Sequence, residues 1–208
     1  MKPFVWSSRL AAGCAAVVFG WLASIELGSS RTASRDAAAR GNVGEKVVDT
    51  TTSQLFERAA LFHLLVGVGA SAVVHVATIR WRRFTYAGGL VLLVTSGLLS
   101  VLSRRHLGRF HRDDLTVHDD QMVVDTGPYR YVRHPLYLAT GGVLVGSGAM
   151  LGNWVSLGTA GVPIAALVHR ILIEEQMLVQ HLGRSYLAYQ DRTTRLLPRI
   201  WSSSTLHA

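Results

Sequence analysis

Apolar residues in this chain collect in long unbroken runs instead of alternating with polar ones. Residues 10–27 carry one charge, Glu26, near their end, and residues 59–79 carry none over 21 positions, with His63 and His75 as their only titratable groups. Residues 84–102 carry no charge over 19 positions, and residues 136–168 carry none over 33. A helix needs about 20 apolar residues to cross the hydrocarbon core of a bilayer, so the first three runs each predict a single span. The fourth is too long for one span, and the turn dipeptide Gly152-Asn153 near its middle predicts a hairpin. The expected fold class is therefore all-α, an integral membrane protein with five transmembrane helices, the last two forming a helical hairpin, followed by a polar C-terminal segment.

The expected helices cover about 4–27, 55–79, 84–102, 136–151 and 154 to near Gly183. Only four residues separate the second from the third, which predicts an antiparallel pair. Pro135 suits a first helical turn, where its missing N–H costs nothing, and Pro163 predicts a kink in the fifth helix. The whole chain, 1–208, is expected as one membrane domain. Residues 1–102 supply three helices and a polar loop at 28–54, rich in Ser, Thr, Arg and Asp without apolar periodicity. Residues 103–208 supply the chemistry-bearing part, including the hairpin at 136–182. Lys2 and Arg9 ahead of the first run resemble a secretory signal, but the run is long for one and predicts a retained helix.

Composition agrees. Hydrophobic residues make up 49% and charged residues 16%, against about 25% charged in soluble domains. The net charge of +8 sits in short segments beside the apolar runs, such as Arg80, Arg82, Arg83, Arg104 and Arg105. Cations there meet lipid headgroups, so membrane lipids and not nucleic acid are the expected partners. With residues 103–135 in the cytoplasm, 16 of the 21 Lys and Arg lie inside, as positive-inside orientation requires. This predicts a multi-pass protein of the cell membrane with its polar face toward the cytoplasm. Cys14 is the single cysteine and permits no internal disulfide. His106, His111 and His118 in the basic stretch 103–124 match no compact ligand spacing, and no metal is expected.

The hairpin has a functional consequence. At 1.5 Å per residue, His134 lies about 29 Å before the turn at Asn153 and Glu174 about 32 Å after it, so both return to one membrane face. One wall is then Gly127-Pro128-Tyr129-Arg130-Tyr131-Val132-Arg133-His134-Pro135-Leu136-Tyr137, and the other is Glu174-Glu175 with residues 182–192. Interfacial Arg and Tyr commonly serve as helix anchors. Adjacent carboxylates at the end of an apolar helix repel one another and call for a cationic or polyhydroxyl partner.

The combination of residues 127–137, the pair Glu174-Glu175, and Gly183, Tyr186, Tyr189, Arg192 and Pro198 resembles the isoprenylcysteine carboxyl methyltransferase family, which groups with the phospholipid methyltransferases. The resemblance spans about the last 75 residues. It implies S-adenosylmethionine as cofactor and a lipophilic, membrane-partitioned methyl acceptor, with a carboxylate, as in isoprenylcysteine, ahead of a thiol, amine or hydroxyl. It also implies cofactor-binding roles for His134, Tyr137, Glu174, Glu175, Tyr186 and Tyr189, and places Arg192 and Arg133 near the reacting groups. Two departures stand on the substrate side: Thr194, then Arg195, where the eukaryotic enzymes carry proline two residues after the arginine, and Arg184-Ser185 where relatives are often acidic. They favour methyl transfer more than they favour prenylcysteine as acceptor. The competing readings are an NADPH-dependent lipid reductase of the steroid-reductase type, with a similar hairpin, and a non-enzymatic membrane scaffold. Gly141, Gly142, Gly146 and Gly148 on the fourth helix would either pack against a neighbouring helix or leave room for an acceptor's tail.

Overall fold

The computed structural model describes residues 46–49, 51–73, 82–110, 115–117 and 121–198. The helix expected at 4–27, most of the loop at 28–54, His75, Arg80, His111 and His118 lie outside the described residues.

The described elements are strand β1 (Lys46–Asp49), helix α1 (Thr51–Val73), helix α2 (Arg82–Leu107), strand β2 (Leu115–Val117), helix α3 (Pro135–Leu151), helix α4 (Trp154–Thr159), helix α5 (Gly161–Leu182) and helix α6 (Arg184–Arg192), with 3-10 turns at Gly108–Phe110 and Gly127–Arg130. Among the described residues two helical stretches are long and apolar enough to cross a membrane, Phe84–Leu107 and Trp154–Leu182, and Pro135–Leu151 is a shorter apolar helix. Leu90, Val91, Val94 and Leu98 on α2 are all exposed, an apolar face suited to lipid.

The fold is all-α as expected, with one short ribbon beside the helices. Lys46–Asp49 pairs antiparallel with Leu115–Val117, with Lys46 opposite Val117 and Val47 opposite Thr116. Both segments are short, rich in β-branched residues and placed in stretches expected to be solvated loop. Val, Ile and Thr favour extended backbone, and a two-stranded ribbon satisfies main-chain groups that neither segment could pair alone.

Pro163 does more than kink the last long helix. Its ring would meet the carbonyl four residues earlier, that of Thr159, which is where α4 ends; Ala160 separates α4 from α5. The turn before it is built from Gly152, left-handed at φ 69°, and Asn153, whose side chain accepts the Ser156 N–H at 2.7 Å and so caps α4.

Helices α2 and α3 run against each other at glycine contacts. A Cβ on Gly89 would lie 2.7 Å from the Gly146 carbonyl oxygen and one on Gly142 would collide with Ser96, while on the side toward α4 one on Gly148 would lie 2.9 Å from the Ser156 carbonyl oxygen. Three of the four helix glycines thus serve close packing, and only Gly141 faces open space. Polar groups at the turn end pair across helices: His63, buried, lies 3.0 Å from Thr159 Oγ1 and 3.2 Å from Ser147 Oγ, and Asn153 donates to Ser71 at 2.8 Å. Buried in this way, each polar group needs a protein partner. The opposite end of the hairpin, by contrast, gathers charge.

Candidate functional site

The loop entering α3 is shaped by Gly127, whose φ of 57° suits glycine and whose absent Cβ leaves space that the His106 ring fills. From there the backbone meets the C-terminal strap, residues 193–198. The Arg133 N–H donates to the Thr194 carbonyl at 2.8 Å, the His134 N–H donates to the Arg195 carbonyl at 3.1 Å, and Val132 and Thr194 form a parallel bridge. These main-chain contacts fasten segments 61 to 62 residues apart beside the N-terminus of α3.

Glu175 stands at the centre of this junction and is buried. Its Oε1 accepts from Arg133 Nε at 2.8 Å and lies 3.2 Å from His134 Nε2; its Oε2 accepts from Arg195 Nε at 2.9 Å and Nη2 at 2.6 Å. Arg133 also donates through Nη1 to the carbonyls of Gln190 at 3.1 Å and Thr193 at 2.5 Å. One carboxylate therefore ties α5, the loop before α3 and the strap together. Glu175 in turn holds the Arg195 guanidinium charged, raising its pKa.

The neighbouring carboxylate is in a different position. Arg170 donates through Nε to the Tyr137 hydroxyl at 2.9 Å and through Nη1 to Ser53 at 2.5 Å. The Glu174 carboxylate lies near the Tyr137 hydroxyl. Glu174 Oε2 is shielded from solvent and has no hydrogen-bond partner among the described residues. The His134 and Tyr137 rings, 5.5 Å apart between centroids, link the two carboxylate environments.

Three tyrosines back the junction. Tyr129, Tyr186 and Tyr189 are buried; the Tyr189 hydroxyl donates to the Tyr129 carbonyl at 2.7 Å, and the Tyr186 and Tyr189 rings lie 5.9 Å apart. Burial raises the pKa of all three, that of Tyr189 to about 12, so they stay neutral at physiological pH. Arg192 lies outside this cluster. Its guanidinium sits 5.9 Å above the Tyr189 ring and donates to Asp125 at 2.8 Å, with both partners about half exposed. Asp125, Thr126, Gly127, Arg130, Tyr189, Arg192 and Thr193 line an open cleft of about 580 Å³, within the range of small-molecule sites.

The structure thus brings Arg133, His134, Tyr137, Glu174, Glu175 and Tyr186 to one junction, and puts Tyr189 and Arg192 along the adjoining cleft. The partner that the paired carboxylates called for proves, for Glu175, to be the protein's own arginines. Arg170 and Arg195 were not among the expected site residues. Arg170 carries a legible signal, as the first charge after the uncharged run and four residues before Glu174, on the same helix face. Arg195 carries none, because its contact with Glu175 depends on the strap folding back. Among the described residues no group of three or more His, Cys, Asp and Glu could hold a metal ion.

The residues present fit an S-adenosyl group in kind: a buried carboxylate oxygen without a donor, a cationic guanidinium edge and aromatic side chains. Curated proteins compared with the chain give no match. Residues 84–185, from α2 to the start of α6, match the family model described as phospholipid methyltransferase. This segment contains the loop before α3, the hairpin and both carboxylates, and over it the chain is similar to the phospholipid methyltransferase family.

Proposed function

We propose that the protein transfers a methyl group from S-adenosylmethionine to a lipophilic acceptor in the bilayer, at the face formed by the loop before α3, the end of α5 and α6. The observation that carries this reading is Glu174 Oε2, a shielded acceptor without a donor inside the segment that matches the methyltransferase family. An unsatisfied buried acceptor costs about 1–3 kcal/mol, and a ribose hydroxyl or an ammonium group would remove that cost. S-adenosylmethionine supplies, when bound, an electrophilic sulfonium methyl, which leaves the protein the tasks of placement and electrostatics. Glu174 accepts hydrogen bonds from the ligand, and Tyr137 and Arg170 orient it. Arg133, His134 and Glu175 hold the loop and strap in register. Arg192, at the open cleft, faces the acceptor's polar end. A carboxylate acceptor is already nucleophilic at neutral pH, so it requires a cation to orient it and no general base.

The same reading counts five membrane spans: the run at 4–27, α1, α2, α3 and the α4–α5 stretch, with the charged face in the cytoplasm. A polar cofactor then arrives from water and the acceptor from lipid, where each buried CH₂ adds about 0.8 kcal/mol to partitioning.

Calorimetric titration with S-adenosylhomocysteine in detergent tests the cofactor. Wild type binds, and Glu174→Gln weakens binding by about tenfold or more with little change in thermal stability. A wild type that takes up NADPH instead would return the reductase reading, and equal affinity of the two proteins would remove Glu174 from the site. For the acceptor, methyl transfer to a series differing only in acyl length should rise in efficiency with length. A flat series would mean that the acceptor comes from water.

A further inference from the structure

The cleft beside Arg192 has walls of unequal support. On one side stand Tyr189, Arg192 and Thr193, where Tyr189 and Thr193 are buried and the Thr193 hydroxyl donates to the Tyr189 carbonyl at 2.6 Å. On the other side run Asp125, Thr126 and Gly127, at the entry to the 3-10 turn, with Asp125 and Thr126 exposed. Arg192 Nη2 donates to Asp125 from one wall to the other, and both side chains are about half exposed. An ion pair so open to water contributes little, so it does not hold the exposed wall in place. Arg192 has a fixed partner only if another contact fixes Asp125.

That contact comes from the last turn of α2. The His106 ring lies so close over Gly127 that a Cβ there would stand 2.4 Å from two ring atoms and 2.6 Å from a third. Its Nδ1 lies 3.2 Å from Thr126 Oγ1. Gly127 permits the approach, because glycine alone offers both the bare Cα and an easy φ of 57°. The support behind the ring is firm: α2 runs 26 residues and meets α3 at the Gly89, Gly142 and Gly146 contacts. Among the described residues, the side chains from other elements that hydrogen-bond Asp125 or Thr126 are those of Arg192 and His106.

We propose that His106 is a positioning residue for the cleft: its ring, seated over Gly127, braces the Asp125 wall, and Asp125 in turn holds Arg192 over the Tyr189 ring. The inference rests on the reading that Arg192 faces the acceptor, and deepens it by naming what sets that arginine's place. The effect passes through two contacts, so His106 itself touches neither acceptor nor cofactor. Placement matters here because a charged group displaced by about 1 Å can cost about 10²-fold in rate.

The test is modification of the full-length protein in detergent by phenylglyoxal, read arginine by arginine through peptide mass spectrometry. Arg184, exposed on the same helix α6, is the internal reference. His106→Ala should raise the rate at Arg192 about two- to fivefold, the scale that loss of an exposed ion pair allows, and leave Arg184 unchanged. Asp125→Ala should raise it as much, and His106→Ala should add nothing in that background. His106→Phe, which keeps a ring over Gly127, should stay near wild type. An unchanged rate in His106→Ala, an additive double variant, or a phenylalanine variant that reacts like the alanine one would each overturn the proposal. A rise at Arg184 as well would mean that α6 loosens as a whole, and would overturn it too. Titration with S-adenosylhomocysteine keeps the two questions apart. His106→Ala should bind it as wild type does, and weaker binding would make His106 a general support and sink its role at the cleft. A wild type that does not bind overturns the methyl-donor reading and leaves the modification result standing.

Discussion

Glu175→Ala should destabilise the protein more than any other single substitution at this face, by about 3–5 kcal/mol, the usual cost of removing one partner from a buried ion pair. The reason is geometric. Glu175 is the shared acceptor for Arg133, His134 and Arg195, and without it two guanidinium groups are left close together with no anion between them. The Arg133 side chain, at 10% exposure, cannot turn to water without leaving the carbonyls of Gln190 and Thr193. Glu175→Gln keeps one acceptor oxygen and the side-chain volume, so it should fall between wild type and alanine. Thermal unfolding in detergent measures the effect. An alanine variant that melts within about 2 °C of wild type would show that the strap does not depend on this carboxylate, since 1 kcal/mol corresponds to about 2–4 °C at this chain length.

Arg192→Ala should behave in the opposite way, with a large loss of activity and little loss of stability. Its bond to Asp125 joins side chains 60% and 48% exposed, and an ion pair so open to solvent adds little to folding. In the cleft, however, the guanidinium lies over the Tyr189 ring, where the proposed function has it meet a charge on the acceptor. Removing one such preorganised electrostatic group typically lowers kcat about 10²–10³-fold. Arg192→Lys should recover only part of the loss, because an ammonium group cannot reproduce the planar two-point grip. Methyl transfer measured beside the melting temperature checks both halves of the expectation. Activity near wild type in the alanine variant would move the acceptor's polar end away from this cleft.

The long apolar helices and the hairpin were legible in the sequence, because both depend on local quantities: the length of an uncharged run, a Gly-Asn turn, and a proline that forbids one backbone hydrogen bond. The same arithmetic of helical rise set His134 opposite Glu174, and the observed approach of His134 to Glu175 follows from similar lengths of chain on either side of the turn. The Arg-His-Pro and Glu-Glu segments were recognisable for a related reason, since their residues are close in sequence and unusual at a membrane boundary. The β-ribbon was not legible: each strand is too short to hold itself extended, and only pairing across the chain makes either one stable.

The division of labour between the two carboxylates was decided by tertiary structure alone. Glu174 and Glu175 are adjacent, and on a helix adjacent positions point about 100° apart, so each looks onto a different set of neighbours. Which neighbours those are depends on the strap. The backbone bonds from Arg133 and His134 to Thr194 and Arg195 bring Arg195 back over 20 residues to saturate Glu175, while Tyr137 and Arg170 leave one oxygen of Glu174 without a donor. Composition and periodicity specify which residues leave water and which remain at its edge. They do not specify partners between segments distant in the chain, because those contacts arise only when the segments are fastened in one register.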